Sequence, residues 1–287
     1  MMLGMPPLAV AAIRTFLAAL LLLLIIAIFK RKYLFIYPAG LLGCILAGWI
    51  NGMGSLFYYS ALGRLGAGIG QLLYSLYPLF VAFWLFLDHQ YPSKLTLVRI
   101  GLSLPAVFLL VQTGGGPIDI IGVIQMLIGS ALYALHIPVN QRVLYDMPPV
   151  TVTLYTLLAM SATTLPVLFL VDTDAILLSP AGWWPLLGLT AVTFLSRLTL
   201  FMGVKHIGGM QTTILGLSEL LITIFFAQFW LGERLTPSQW LGAMLLIVSL
   251  LLIGLEKSLP RKDKPGGILS WLSHPNLPTN FPWQPHE

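Results

Sequence analysis

Long apolar runs, broken by short clusters of charge, glycine and proline, dominate the pattern of this chain. Nine runs are candidates for membrane crossing, at 6–29, 36–62, 67–88, 94–113, 118–140, 148–171, 182–204, 209–231 and 236–256. A helix rises about 1.5 Å per residue, so roughly 20 residues span a hydrocarbon core of about 30 Å. Backbone groups in lipid must bond within their own segment, and no ten-residue alternation suggests barrel strands, so the runs predict helices. The interruptions carry Lys30-Arg31-Lys32, the glycines from Gly63 to Gly70, the stretch Asp88 to Lys94, Gly114-Gly115-Gly116-Pro117 and Gly208-Gly209. Pro78, Pro105, Pro138 and Pro166 fall within the runs and predict kinks. The first run is longer than a signal-peptide core, contains Arg14 and ends on a basic cluster, so it reads as a retained helix. Beyond Leu255 come Lys257, Arg261, Lys262, Lys264 and six prolines from Pro260 to Pro285, which predict a disordered tail over 257–287.

Composition excludes a soluble fold. Hydrophobic residues are 57% and charged residues 9%, against about 25% charged in ordinary soluble domains. Cys44 is the sole cysteine, so no disulfide framework exists. The net charge of +5 comes from basic residues at the ends of apolar runs, which is membrane topology and argues against nucleic acid as a partner. With the N-terminus outside, the inner connections hold Lys30, Arg31, Lys32, Lys94, Arg142, Lys205, Lys257, Arg261, Lys262 and Lys264. The outer ones hold only Arg64 and Arg234, along with Asp119, Asp172 and Asp174. This bias predicts a cytoplasmic C-terminus in a plasma membrane, here a bacterial inner membrane.

The chain also repeats itself. Met5-Pro6-Pro7-Leu8-Ala9-Val10 returns 142 residues later as Met147-Pro148-Pro149-Val150-Thr151-Val152. The same offset lays Ala61-Leu62-Gly63-Arg64-Leu65-Gly66 on Gly203-Val204-Lys205-His206-Ile207-Gly208. With one residue dropped near position 90, Gly101-Leu102-Ser103-Leu104 falls on Gly242-Ala243-Met244-Leu245. Equivalent points are five runs apart, an odd number, so the copies, 1–113 and 114–256, stand upside down to each other. Helix 118–140 opens the second copy without a counterpart ahead of Met1, so the expected fold is all-α and polytopic. It has about nine transmembrane helices, in an inverted-topology repeat of a ten-helix design without its first helix.

Several local patterns carry a family resemblance over about residues 5–256. They are Pro6-Pro7 followed by Arg14, Tyr58-Tyr59-Ser60-Ala61-Leu62, and Pro78 in Ser75-Leu76-Tyr77-Pro78. The second half adds Ser218-Glu219-Leu220, Leu231-Gly232-Glu233-Arg234-Leu235-Thr236, Gln239 and Gly242. The chain resembles the EamA-type permeases of the drug/metabolite transporter superfamily. It departs from their pattern at Leu220, where proline is usual, and at His89-Gln90-Tyr91-Pro92, where the first half lacks a Gly-Glu pair. The resemblance implies ten helices, both ends in the cytoplasm, and export of small metabolites or amino acids.

Charges inside a bilayer cost at least ~2.5–3.5 kcal/mol each and so favour the bundle interior. Arg197 and Glu219 lie at similar depth on consecutive helices, roughly 12 and 15 Å from the inner side. Thr190, Thr193 and Arg197 share one face, and Thr212, Glu219 and Thr223 another. Glu219 is the candidate coupling or amine-binding group, with Arg197 as its counter-charge. A static buried ion pair is the alternative. Gly129, Tyr133, His136 and Asn140 line one face of helix 118–140, and Asn51 and Tyr58 one face of helix 36–62; they read as cavity lining or as polar contacts between helices. Arg14 and Arg99 are expected to snorkel towards the membrane surfaces. Glu233 is expected at the outer rim. Gly48-Trp49-Ile50-Asn51-Gly52 spaces glycines for close helix contact.

The expected function is secondary transport of a small organic solute, with membrane lipid as the surrounding partner. No Gly-Lys-Ser/Thr loop offers ATP coupling, and no His-Glu-x-x-His pair or acidic dyad supports an enzyme, a metal or another cofactor. A degenerate paralogue that carries nothing is the alternative.

Overall fold

The computed structural model describes residues 6–65, 67–110, 119–169, 183–231, 236–252 and 267–272. Among them there are helices and no strand: α1 Pro7–Phe29, α2 Pro38–Leu62, α3 Ala67–Tyr74, α4 Tyr77–Leu87, α5 Lys94–Leu110 and α6 Ile120–Leu144. They continue with α7 Pro149–Thr164, α8 Trp183–Ile207, α9 Gly209–Gly216, α10 Ser218–Leu231 and α11 Pro237–Leu251. Among the described residues six spans are long and apolar enough to cross a membrane, counting Ile69–Leu87 and Pro149–Phe169 as single spans, and Pro237–Leu251 is a shorter apolar helix. The protein is an all-α, multi-pass membrane protein.

Helix starts follow local chemistry. Proline occupies the opening turn of α1, α2, α7 and α11, where its missing N–H has no bond to lose. Asp119 caps α6 by accepting from the N–H groups of Ile121 and Gly122, and Thr236 and Gln239 form a capping box on α11. The Gly122 N–H, together with the Arg64 guanidinium 3.2 Å away, holds the exposed Asp119 carboxyl below the usual carboxylate range. That ion pair joins the C-terminal end of α2 to the N-terminal end of α6, so these helices run antiparallel.

The repeat reappears in the elements. Pro7 and Pro149 begin α1 and α7, and Ala67–Tyr74 and Gly209–Gly216 are equivalent eight-residue helices. Both are followed by a break rather than the continuous helices expected over 67–88 and 209–231. Pro78 lies in the first turn of α4, beyond the break, instead of kinking an unbroken helix. Pro166 ends the α-helical part of its run, which continues as the 3-10 turn Leu165–Phe169. Pro105 and Pro138 do sit inside helices, α5 and α6.

Small residues set the packing of α2, which lies chiefly against α6 and α7. A Cβ at Gly48 would lie 2.5 Å from both Ala159 Cβ and the Thr156 carbonyl on α7. One at Gly54 would meet the Gly129 carbonyl of α6 at 3.2 Å, and the reverse contact from Gly129 is 3.1 Å. Elsewhere α5 packs on α11, and α1 on α7 and α8. Arg99 does not snorkel. It is fully buried between α5 and α11, where Nε donates to the Ser249 carbonyl at 3.1 Å and the guanidinium reaches Gln211.

The tail expectation needs correction. Gly267–Leu272 lies within the stretch expected to be disordered, yet Ser270–Leu272 forms a 3-10 turn and Leu272 is fully buried against Ala47 and Val139. Apolar Ile268-Leu269 and Trp271-Leu272, set among prolines and charges, carry this exception.

Glycine contacts of this kind leave no room for side chains. Gly48→Leu is expected to cost at least ~1–3 kcal/mol through overpacking. Gly101→Ala, where a Cβ meets nothing within 4 Å, should be neutral or slightly stabilising. Thermal unfolding in detergent, followed by size-exclusion chromatography, separates the two.

Candidate functional site

The two helix breaks create a local problem. A carbonyl in hydrocarbon needs a donor, and an interrupted helix withdraws its own. Pro78 has no N–H for the Tyr74 carbonyl, which instead accepts from Ser130 Oγ of α6 at 3.0 Å. At the second break the Leu217 N–H turns to the Ile214 carbonyl, leaving Thr213, whose carbonyl accepts from the Tyr77 hydroxyl at 3.1 Å. Gly216 makes room for that hydroxyl, since a Cβ there would lie 2.8 Å from Tyr77 Oη. The two breaks are therefore joined directly, α4 to α9.

Around this junction stands a connected group of tyrosines. Ring centroids are 4.7 Å apart for Tyr58–Tyr74, 5.7 Å for Tyr74–Tyr77, and 5.4 Å for both Tyr74–Tyr133 and Tyr77–Tyr133. His136 continues the group at 4.8 Å from Tyr133, and its Nδ1 lies against the Tyr133 carbonyl. Arg197 of α8 places its guanidinium 5.7 Å from the Tyr133 ring centre, a cation–π distance. Glu219, in the first turn of α10, accepts from Gln71 Nε2 of α3 at 3.5 Å. It remains accessible, within electrostatic reach of Tyr58, Tyr77 and Tyr133. An intramembrane acid with accessible surface is costly against lipid, which makes Glu219 a functional candidate.

Of the residues singled out from sequence, Glu219, Arg197, Tyr58, Tyr133 and His136 come together here. The others sit elsewhere. Asn51 donates to Met160 Sδ at 3.4 Å and Asn140 accepts from Thr156 at 2.9 Å, both against α7. Thr193 and Thr212 turn their hydroxyls back on the carbonyls of Leu189 and Gly208, four residues earlier. Thr190 and Thr199 do the same along α8. Arg14 reaches Tyr59, hydrogen-bonding its hydroxyl with the guanidinium 5.6 Å from the ring centre. The side chain of Thr223, together with Glu233, Asp172 and Asp174, lies outside the described residues.

Sequence reasoning passed over Gln71 and Tyr74 and read Tyr77 only as part of a motif. The offset of 142 was a usable signal, because it places Tyr77 opposite Glu219. It also missed Asp88–Arg142, a fully buried pair in which Nε and Nη2 each lie 2.7 Å from Oδ2. His89, with φ 58°, ends α4 in the left-handed region. The Gln90 N–H then reaches the Leu85 carbonyl at 2.8 Å, and Asp88 is presented to α6.

The sequence matches the EamA-like transporter family twice, over residues 1–112 and again over 120–255. The chain belongs to that family. This EamA-like chain is 28% identical over 148 residues to the uncharacterized transporter YwfM of Bacillus subtilis (strain 168). The match takes in 51% of this chain and about half, 49%, of that relative's length. A protein known as a crystal structure superposes with a TM-score of 0.69 over 88% of this chain and 89% of its own, at 15% identity. That likeness concerns the fold alone. Family and fold together place this EamA-like chain among multi-pass membrane proteins.

Removing the hydroxyl in Tyr77→Phe strands the Thr213 carbonyl. A loss of about 1–3 kcal/mol is expected. Tyr91→Phe, at an exposed position, should leave thermal unfolding in detergent unchanged.

Proposed function

We propose that this protein is a secondary transporter that exports small organic metabolites, such as amino acids or drug-like solutes, across the plasma membrane by alternating access. The observation that carries this reading is the convergence of Glu219 and Arg197 on the tyrosine group at the level of both helix breaks. Broken helices and opposed charges near mid-membrane suit a solute site, because free carbonyls, aromatic faces and charges there are held by neighbouring helices rather than by lipid. Glu219 serves as the group that changes charge, binding a solute amine or a proton. Gln71 donates to it, and Arg197 supplies the compensating positive charge from the far side of Tyr133.

The positions of the charged connections support a cytoplasmic C-terminus. Lys205 donates to the Met147 carbonyl at 3.4 Å, Thr151 and Tyr155 donate to the carbonyls of Tyr33 and Leu34, and Arg64 pairs with Asp119 at the opposite end. One end of the bundle is thus strongly basic, and it is the end assigned to the cytoplasm.

Counterflow in proteoliposomes against a pooled metabolite extract tests the function. Glu219→Gln is expected to reduce exchange about tenfold or more, the equivalent of one charge-assisted hydrogen bond, and to flatten its pH dependence. Wild-type rates for Glu219→Gln across a pH series would remove Glu219 from the mechanism. Absence of exchange for every compound would favour a paralogue that carries nothing. For orientation, cysteines at Arg64 and Lys205 should label from outside and inside respectively.

A further inference from the structure

We infer that Gly267–Leu272 is a strap that holds the end of the half-helix α4 against α6 and α2, and that its release loosens this end of the bundle. Three contacts define the docking. The Leu269 N–H donates to Asp88 Oδ1 at 3.0 Å, using the oxygen that Arg142 leaves open. Tyr37 at the head of α2 donates its hydroxyl to the Leu272 carbonyl at 3.2 Å. The Leu272 side chain is fully buried over Ala47 and Val139, and a Cβ at Gly43 would lie 3.1 Å from its Cδ2.

Gly267 is required by the same fit. Its φ is +141°, and a Cβ there would stand 2.5 Å from the Asp88 carbonyl oxygen and 2.6 Å from Oδ1. The backbone therefore lies directly on the cap of α4.

The place it closes matters because α4 is short and begins at the break after Tyr74. A half-helix hinged at one end is fixed only by what grips the other. At Asp88 that grip consists of Arg142, Gln90 Nε2 at 2.9 Å, and the strap. Gln90 also accepts from Gln141 Nε2 at 2.8 Å, and Gln141 accepts from the Gly209 N–H at 2.9 Å. The strap, the first broken helix and the start of the second thus belong to one hydrogen-bonded chain. Its components are satisfied together, so loss of one member weakens the others.

Docking of the strap and the mobility of α4 are independent of whether a solute is carried. Thiol labelling in inside-out vesicles tests it on the full chain. In a Cys44→Ser background, Leu272→Cys is expected to react at least about tenfold more slowly than Ile268→Cys, whose side chain is 63% exposed. Equal rates would show that the segment is not docked. The native Cys44, fully buried one residue from the Gly43 contact, reports the consequence. Leu272→Asp and Gly267→Val are each expected to raise its alkylation rate about tenfold or more, while Trp271→Ala, which changes an exposed side chain of the same turn, leaves it unchanged. Unchanged Cys44 rates in both docking variants would overturn the strap. A cysteine replacing Ala61, buried near the opposite end of α2, must stay protected, which separates release from unfolding. Leu272→Ala gives the same comparison should the aspartate variant fail to fold.

Discussion

Hydrocarbon offers no hydrogen bonds, and that constraint decides where this chain interrupts its helices. Each break frees a carbonyl, and each freed carbonyl is taken up by a hydroxyl from another helix: Ser130 for Tyr74, Tyr77 for Thr213. The breaks cannot move independently of the donors. Polar side chains therefore gather at one level of the bundle, and the tyrosines, Arg197 and Glu219 surround that level. The site is a consequence of repairing the backbone as much as of binding anything.

The equivalence of Tyr77 and Glu219 under the repeat gives the junction its character. Two halves related by sequence meet through equivalent positions that carry different chemistry. Tyr77 contributes a hydroxyl to the second half's backbone, and Glu219 contributes a charge beside the first half's Gln71. The order of elements matches between the halves, and the chemistry at this position does not. Only one of the two positions carries a carboxylic acid group.

The sequence made the spans legible because lipid demands unbroken apolar runs, and nine of the eleven described helices begin within two residues of a predicted start, α4 and α10 after the breaks being the exceptions. Proline in the opening turn made the starts of α1, α2, α7 and α11 sharp. The break after Gly216 was not legible, because Leu220 stands where a proline would have announced it. Arg99 was misread because depth along a run says nothing about rotation: it faces α11, where Nε donates to the Ser249 carbonyl, and Gln211 of α9 meets its guanidinium. The docked hexapeptide escaped because its surroundings are polar and proline-rich, and only contact with Asp88 and Tyr37 gives it a structure. Glu219 and Arg197 stood out because intramembrane charge is rare, whereas Gln71, Tyr74 and Tyr77 acquire meaning only from their neighbours.

The threonines of α8 carry a separate consequence. Thr190, Thr193 and Thr199 each return a hydroxyl to the turn below. Such a helix brings oxygen into oil while asking nothing of any other segment. It is self-sealing, and the same back-bonding slackens its own ladder, so it bends more readily than a leucine rod of equal length. Abundant threonine in a spanning segment thus signals compliance rather than recognition.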